Sequence, residues 1–257
     1  MTETGVASVA SGKIDALGQF ELHPVLGHVG EVLRMPQSVL YMVVSVIIIC
    51  AFFFMGMRSG SVVPGRLQAA AEMGYEFVRE LAISTIGPKG TAFFPFVFAL
   101  FFFILVGNYL GLLPFSYTFT SHIVITVAMA LAVFFIALLT ALYYQGIGYF
   151  KHFMPEGAPK ALAPLLIPIE ILSYLSRPIS LSIRLFANMV AGHVLMTVFA
   201  SFTLMLAGLG AIGVVLGVFP IVVNVLLFGL ELLVGALQAY VFAILTCMYI
   251  QEACATH

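Results

Sequence analysis

Apolar runs without charged residues are the most regular feature of the sequence. They occupy residues 38–57, 93–113 and 122–144. An α-helix rises about 1.5 Å per residue, so about 20 residues cross a hydrocarbon core about 30 Å thick. Only the short uncharged segment 114–121 separates the second run from the third. The pattern therefore predicts three ordinary transmembrane helices, of which the second and third form a tight hairpin.

Two further apolar runs, at about 163–206 and 211–250, are too long for helices that cross a membrane perpendicularly. Some 40 helical residues would measure about 60 Å, which is twice the thickness of the hydrocarbon core. Pro168, Pro178 and Pro220 could break these runs, but the polar residues around Pro178 keep a single helical phase. Those residues are Glu170, Ser173, Arg177, Ser180, Arg184 and Asn188. We therefore predict a carboxy-terminal hairpin of two long, strongly tilted helices with local proline kinks.

A different pattern lies between the first and second spans. Residues 66–86 mix charged with apolar residues, which is typical of an amphipathic helix at the membrane interface. A solvated surface helix would explain the same pattern. Lysine and arginine are concentrated in residues 58–92 and 145–162 and are absent between the second and third spans. The positive-inside rule therefore places these two loops on the cytoplasmic or matrix side.

The composition agrees with a polytopic membrane protein. Hydrophobic residues make up 62% of the 257 residues, charged residues make up 8%, and the mean hydropathy is +1.15. A net charge of −1 and the absence of a basic patch argue against a nucleic-acid partner. The three cysteines form no CxxC pair and no metal-binding spacing, so they are read as small apolar residues and we predict no metal site. We also predict no cofactor. The predicted fold is all-α, with a polar arm at 1–35, one integral membrane domain at 36–252 and a tail at 253–257.

Arg184 is the most unusual residue of the long apolar runs. An arginine at the centre of a membrane span costs about 3 kcal/mol on insertion scales, so it is expected only where it has a function. A guanidinium is effectively never deprotonated, so Arg184 cannot relay protons. It can repel a proton, or it can hold a partner carboxylate in its ionised form. Snorkelling to an interface is the alternative, but Arg184 lies far from both ends of its run.

The second long run carries a polar stripe of its own. Asn224, Glu231 and Gln238 are seven residues apart, so they share one helix face. His193 lies nine residues after Arg184, which places the two side chains about 180° apart around the helix. We therefore predict that His193 points back into this chain, toward Glu231. Both groups can gain and lose a proton, and burial favours the neutral form of each.

A purely structural role is an alternative for each of these polar residues. Glu231 could be a structural, hydrogen-bonded carboxyl group, and His193 could be a packing histidine. Asn188 and Gln238 could hydrogen-bond between helices, and Arg177 beside Pro178 could anchor the helix at the interface. Glu170 is open to a similar structural interpretation.

Four segments resemble subunit a of the F-type ATP synthase. They are SLSIRLFANMVAGH, ELLVGALQAYVFAIL, GNYLGLLPFSYTFTSH and QFELHP, and the resemblance extends over about residues 17–252. It implies a non-catalytic stator subunit, in a bacterial plasma membrane or mitochondrial inner membrane, whose long hairpin packs against a rotating ring of c subunits. The other implied partners are b-type subunits of the peripheral stalk, further ATP synthase subunits and the lipid bilayer, and the transported ion is the proton.

The resemblance also implies roles for single residues. Arg184 matches the family's essential arginine, which separates two offset aqueous half-channels and faces the ring carboxylate. The inlet half-channel is assigned a set of polar residues, namely Asn188, His193, Asn224, Glu231 and Gln238. Glu170, Ser173 and Arg177 are assigned to the outlet. Proton flow through the two half-channels would turn the ring and drive ATP synthesis.

Two other classes of membrane protein compete with this interpretation. Secondary transporters often consist of matched halves with interrupted helices, whereas here three ordinary spans precede two overlong ones and no repeat is visible. A membrane enzyme would need catalytic residues, but the HExxH and GxSxG motifs are absent and no histidine cluster suggests haem.

Overall fold

A computed structural model describes residues 37–58, 64–113, 118–146, 163–208 and 210–254, and in these ranges the chain is almost entirely helical. The helices are α1 (Gln37–Met57), α2 (Arg66–Ile86), α3 (Gly90–Gly111), a short 3-10 helix (Phe119–Ser121), α4 (Ile123–Gln145), α5 (Ala163–Ala207) and α6 (Ala211–Cys254). Among the described residues, five helices are long and apolar enough to cross a membrane. The predicted all-α polytopic membrane fold is confirmed.

Helices α1, α3 and α4 have the length of single spans. Their bounds differ by at most three residues from the apolar runs that predict them. Large apolar side chains point outward from them, with Phe54 72% and Val124 75% exposed. Such exposure suits a lipid solvent, because lipid tails are as apolar as these side chains. The predicted arm at 1–35 and most of the 145–162 loop lie outside the described residues.

Helices α5 and α6 are uninterrupted, with 45 and 44 residues. Pro168 and Pro178 lie inside α5, and Pro220 lies inside α6. Each proline removes one backbone hydrogen bond, and the remaining bonds keep the helix continuous. At about 1.5 Å per residue each helix is about 66 Å long. Each must therefore run obliquely through a bilayer or project from it.

The described chain divides into two compact units. The first comprises the described residues within Met1–Ile48, Leu105–His122 and Phe186–Gln238, and the second comprises those within Ile49–Ile104, Ile123–Leu185 and Ala239–His257. Helices α5 and α6 contribute residues to both. Each unit is defined by the contacts among its own residues.

Aromatic rings hold α2 in the second unit. The ring centroid of Tyr75 on α2 lies 4.9 Å from that of Phe94 on α3, and the ring centroid of Phe77 on α2 lies 5.7 Å from that of Phe101 on α3. On α2, Val78 and Ala82 are fully buried, while the charged residues of this helix are exposed. The helix is therefore amphipathic, as its sequence predicts, with the same bounds of 66–86.

Side chains from two other segments cap the end of α6 in the second unit. Lys89 Nζ donates to the backbone oxygen of Cys254 at 3.2 Å. Gln145 Nε2 donates to the backbone oxygens of Glu252 and Ala253 at 3.2 and 3.1 Å. The last carbonyl groups of a helix have no donors within the helix, and a cation there complements the helix dipole. The cap therefore fixes the carboxyl end of α6.

In the first unit, the segment after α3 packs on two glycines. A Cβ atom at Gly107 would overlap the ring of Phe119, and one at Gly111 would overlap the side chain of Thr118. Ser121 Oγ donates to the backbone oxygen of Thr118 at 2.6 Å and closes the turn. The absence of side chains at the two glycines thus lets residues 118–121 lie directly against α3.

Candidate functional site

Glu231 is a buried carboxyl group in the first unit. Only 5% of its side chain is exposed, and neither carboxyl oxygen has a hydrogen-bond partner among the described residues. Its Oε1 atom lies 3.8 Å from His193 Nε2, which is beyond hydrogen-bond range. A buried carboxyl group that lacks hydrogen bonds to protein groups is unfavourable for stability unless water or another molecule supplies them. Among the described residues, no hydrogen bond assigns Glu231 a purely structural role.

Gly192 makes this position of Glu231 accessible. A Cβ atom on Gly192 would lie 2.5 Å from Glu231 Oε1 and 2.6 Å from its Cδ atom, closer than real side chains approach. Because glycine has no Cβ atom, the carboxyl group can lie directly against the backbone of α5. The same approach brings it beside His193, the next residue.

His193 lies between two polar groups on different segments. Its side chain is 14% exposed, and Nε2 lies 2.9 Å from Thr118 Oγ1 and 3.8 Å from Glu231 Oε1. The ring points toward Glu231, as the helix geometry predicts from the sequence. One nitrogen atom is thus shared by a hydroxyl group in hydrogen-bond contact and a carboxyl group just outside it.

Two amide side chains of the predicted inlet, Asn188 and Gln238, are hydrogen-bonded to each other. Asn188 Nδ2 donates to Gln238 Oε1 at 3.2 Å. Gln238 is 4% exposed, and its Nε2 atom has no hydrogen-bond acceptor among the described residues. The structure therefore brings together four of the five predicted inlet residues as two polar pairs, one formed by Asn188 and Gln238 and one by His193 and Glu231.

Asn224, the fifth predicted inlet residue, lies seven residues before Glu231, about two turns along α6. It borders a groove between α5 and α6 whose α5 wall includes Ala200 and Thr203. Its Oδ1 atom is buried and has no hydrogen-bond donor within the described part of the chain. Asn224 thus extends the polar stripe of α6 beyond Glu231.

Asn108 is a site residue that the sequence pattern does not single out. It is completely buried, its Nδ2 atom donates to the backbone oxygen of Gly235 at 3.1 Å, and its Oδ1 atom accepts from Thr120 Oγ1 at 3.0 Å. Asn108 therefore ties both α6 and the 118–121 turn to α3. The segment GNYLGLLPFSYTFTSH contains Asn108, Thr118 and Thr120, but no spacing within it indicates which side chains they meet.

Arg184 lies in the second unit and is exposed. Leu181 and Leu185, one turn apart on α5, are 1% and 0% exposed and mark the buried face of the helix. No described carboxylate forms an ion pair with Arg184.

Arg177 instead pairs with a carboxylate of α6. Its Nη1 atom donates to Glu252 Oε2, and the guanidinium carbon lies 5.1 Å from the ring centroid of Tyr174 and 5.4 Å from that of Tyr249. The two charged side chains are 27% and 53% exposed, which is typical of an anchoring pair near a helix end. The sequence does not predict Glu252 as a partner, because the two residues are far apart along the chain.

Glu170 and Ser173 are the other predicted outlet residues. Glu170 is partly exposed and Ser173 is exposed, and neither side chain forms a hydrogen bond with a described residue. Among the described residues, no group of three or more histidine, cysteine or acidic side chains could hold a metal ion. The site therefore consists of titratable and amide side chains.

Comparison with known proteins identifies the family. Residues 39–251 match the family model described as ATP synthase A chain. A protein named ATP synthase subunit a from Gluconobacter oxydans is 65% identical over 246 residues, which cover 96% of this chain and 99% of that protein. The protein of the same name from Gluconacetobacter diazotrophicus is 66% identical with the same coverage. The one from Mesorhizobium japonicum is 46% identical over 249 residues, covering 95% of this chain and 98% of that protein.

The resemblance found in the sequence is thereby confirmed over nearly the whole chain. The match lies within a chain whose described part has five span-length apolar helices. This chain therefore belongs to the ATP synthase A chain family, whose members are integral membrane, non-catalytic components of the proton-translocating Fo sector.

Proposed function

We propose that this chain forms two offset aqueous half-channels that carry protons to and from a rotating ring of c subunits. One contrast carries the proposal. Glu231 is buried, lacks hydrogen bonds among the described residues and lies beside a second titratable group, whereas Arg184 is exposed and forms no ion pair within the described chain. The first arrangement suits a group that exchanges protons, and the second suits a charge whose partner belongs to another subunit.

The inlet half-channel follows the polar pairs of the first unit. A proton enters on the side opposite the lysine-rich and arginine-rich loops, and Asn224 marks the outer end of the stripe. His193 and Glu231 pass the proton on, because each is a titratable side chain that can bind and release one. Asn188 and Gln238 lie farther along the stripe. They can hold a single file of water molecules or orient an approaching carboxyl group of the ring.

Arg184 separates the inlet from the outlet. It lies four residues before Asn188 on the uninterrupted helix α5, about one turn away. Its permanent charge prevents a proton from passing directly between the two half-channels, since a proton beside it would be repelled. The same charge favours the ionised form of a ring carboxylate that passes it. The carboxylate therefore releases its proton to the outlet and accepts another from the inlet.

The outlet half-channel is assigned to the opposite part of α5, with Glu170, Ser173 and Arg177. Their exposure suits an aqueous path, and the pairing with Glu252 fixes the position of Arg177. One charge that crosses 100 mV supplies about 2.3 kcal/mol, so several crossings must combine for each ATP. We also propose that the chain, as one integral membrane domain, contacts b-type subunits of the peripheral stalk and other ATP synthase subunits.

The test uses the assembled complex in vesicles, with proton flow and ATP synthesis measured separately. We expect Arg184→Ala to abolish proton-driven ATP synthesis while the complex still assembles, and Glu231→Gln to slow passive proton flow about tenfold or more. Glu72→Gln, an exposed change on α2, is the matched control for loss of an acid and should leave both rates unchanged. Normal ATP synthesis in Arg184→Ala, or normal proton flow in Glu231→Gln, would refute the assigned roles.

A further inference from the structure

The hydroxyl group of Thr118 contacts the atom of His193 that faces the buried acid. Nε2 of His193 lies 2.9 Å from Thr118 Oγ1 and 3.8 Å from Glu231 Oε1. The first distance is that of a hydrogen bond and the second is not. In this structure Thr118 therefore holds the histidine nitrogen beside the carboxyl group.

The chain around Thr118 is built to hold that hydroxyl group in place. Thr118 is 5% exposed, and its backbone oxygen accepts hydrogen bonds from the backbone nitrogen and the Oγ atom of Ser121. Its side chain lies against Gly111, where any Cβ atom would collide with Oγ1. The hydroxyl group is thus held between the turn that Ser121 closes and the surface of α3 at Gly111, where there is no side chain.

We infer that Thr118 is a positioning residue for proton transfer between His193 and Glu231. A hydroxyl group can both accept and donate a hydrogen bond, so it suits a neighbour that changes its protonation state. Before transfer, the N–H group of Nε2 donates to Thr118 Oγ1, and this hydrogen bond breaks when the N–H group turns to the approaching carboxylate. After Nε2 has lost that proton, the Thr118 O–H group rotates and donates to the nitrogen lone pair.

The transfer step balances without any further reactant. The Nε2–H bond of a protonated His193 breaks, an O–H bond forms on the Glu231 carboxylate, and the imidazole and the carboxyl group end neutral. The 3.8 Å separation must shorten by about 1 Å for direct transfer, since hydrogen bonds of this kind are about 2.7–3.2 Å long. Thr118 holds the ring beside the carboxyl group, so that a small rotation of the ring and a small movement of the flexible Glu231 side chain suffice. It gains and loses no proton itself.

This inference rests on the proposed role of His193 and Glu231 in the inlet, so the test measures both in one series. Passive proton conductance is measured in vesicles that contain the Fo complex, and each value is divided by the amount of assembled complex. Thr118→Val keeps the shape but removes the hydroxyl group, and it should lower conductance about fivefold, the size expected for one lost hydrogen bond. Thr118→Ser restores the hydroxyl group and should return conductance to within about twofold of the original protein.

The control is Thr246→Val. Thr246 is fully buried like Thr118, but its hydroxyl group donates to the backbone oxygen of Phe242, so its loss should not change conductance. Gly111→Ala provides a second perturbation, because the added Cβ atom displaces the Thr118 hydroxyl group without removing it. This variant should also conduct more slowly, whereas Gly65→Ala, where a Cβ atom meets nothing within 4 Å, should not.

The outcomes separate the two proposals. If Glu231→Gln conducts normally, the inlet role itself fails. If Glu231→Gln is slow but Thr118→Val conducts normally, the inlet role stands and the positioning role of Thr118 is refuted. A Thr118→Ser variant as slow as Thr118→Val would also refute it, because a hydroxyl group would then have been present without restoring transfer. If Thr118→Val assembles poorly, Gly111→Ala and Thr118→Ser decide the question by the same comparison.

Discussion

Gly192→Ala tests whether the position of the Glu231 carboxyl group controls proton flow. The added Cβ atom would lie 2.5 Å from Glu231 Oε1, 2.6 Å from Cδ and 3.0 Å from Oε2. Ordinary van der Waals contacts of a Cβ atom begin at 3.4 Å, so the carboxyl group must move by about 3.4 − 2.5, or 0.9 Å. It lies at the end of a flexible side chain and can make this movement without disturbing the backbone.

The magnitudes separate an effect on stability from an effect on conduction. Extra volume in a packed region costs about 1–3 kcal/mol, while replacing glycine by alanine within a helix gains about 1 kcal/mol. The net loss of stability is therefore about 0–2 kcal/mol, and the complex should still assemble. A reacting group displaced by about 1 Å can slow a reaction by up to about 100-fold. Because the side chain can partly compensate, we expect conductance to fall about tenfold, equivalent to about 1.4 kcal/mol in the barrier.

The assay is passive proton conductance per assembled complex in vesicles. Gly229→Ala is the matched control, since it also lies on a long helix and its added Cβ atom would meet nothing within 4 Å. Adding Glu231→Asp to Gly192→Ala withdraws the carboxyl group by one methylene and should recover part of the lost conductance. Wild-type conductance in Gly192→Ala, combined with slow conductance in Glu231→Gln, would refute the argument that the carboxyl position matters.

Three further changes test the surrounding framework. Asn108→Leu leaves the hydrogen-bond partners of a fully buried amide unsatisfied and should destabilise the complex by about 2–4 kcal/mol, seen as a lower thermal midpoint; an unchanged midpoint would contradict this. Lys89→Met should loosen the end of α6 and speed maleimide labelling of Cys254, which is 7% exposed, whereas unaltered labelling would argue against the cap. Exchanging the charges of Arg177 and Glu252 should recover the thermal stability that either single reversal loses, by about 1 kcal/mol or less for so exposed a pair, and additive losses would show that they do not interact.

Helix length and phase are the features that the sequence predicts well. The bounds of α2 coincide with the mixed polar and apolar segment, and α5 continues through Pro168 and Pro178 as the single phase of its polar residues indicates. The direction of His193 also follows from the helix period alone. These properties are local, since each depends on residues within a few turns of one helix.

Contacts between distant segments are what the sequence leaves open. Thr118, which follows α3, contacts His193 because glycines leave room for it beside α3. No periodicity in the sequence indicates this contact. The partner of Glu252 is equally hard to predict, because Arg177 lies 75 residues earlier in the sequence. Charged and hydroxyl side chains at the ends of apolar runs are common in membrane proteins, so their presence alone carries little information. Their partners become evident only when the helices are placed beside each other.

The exposed side chain of Arg184 also bears on how the complex is built. An orphan copy of this chain in a bilayer would carry an unmatched cation, and leaving one member of a buried ion pair without the other costs about 3–5 kcal/mol. On the proposed mechanism the missing anion belongs to the ring. Membrane quality-control proteases should therefore remove copies made in excess of the ring.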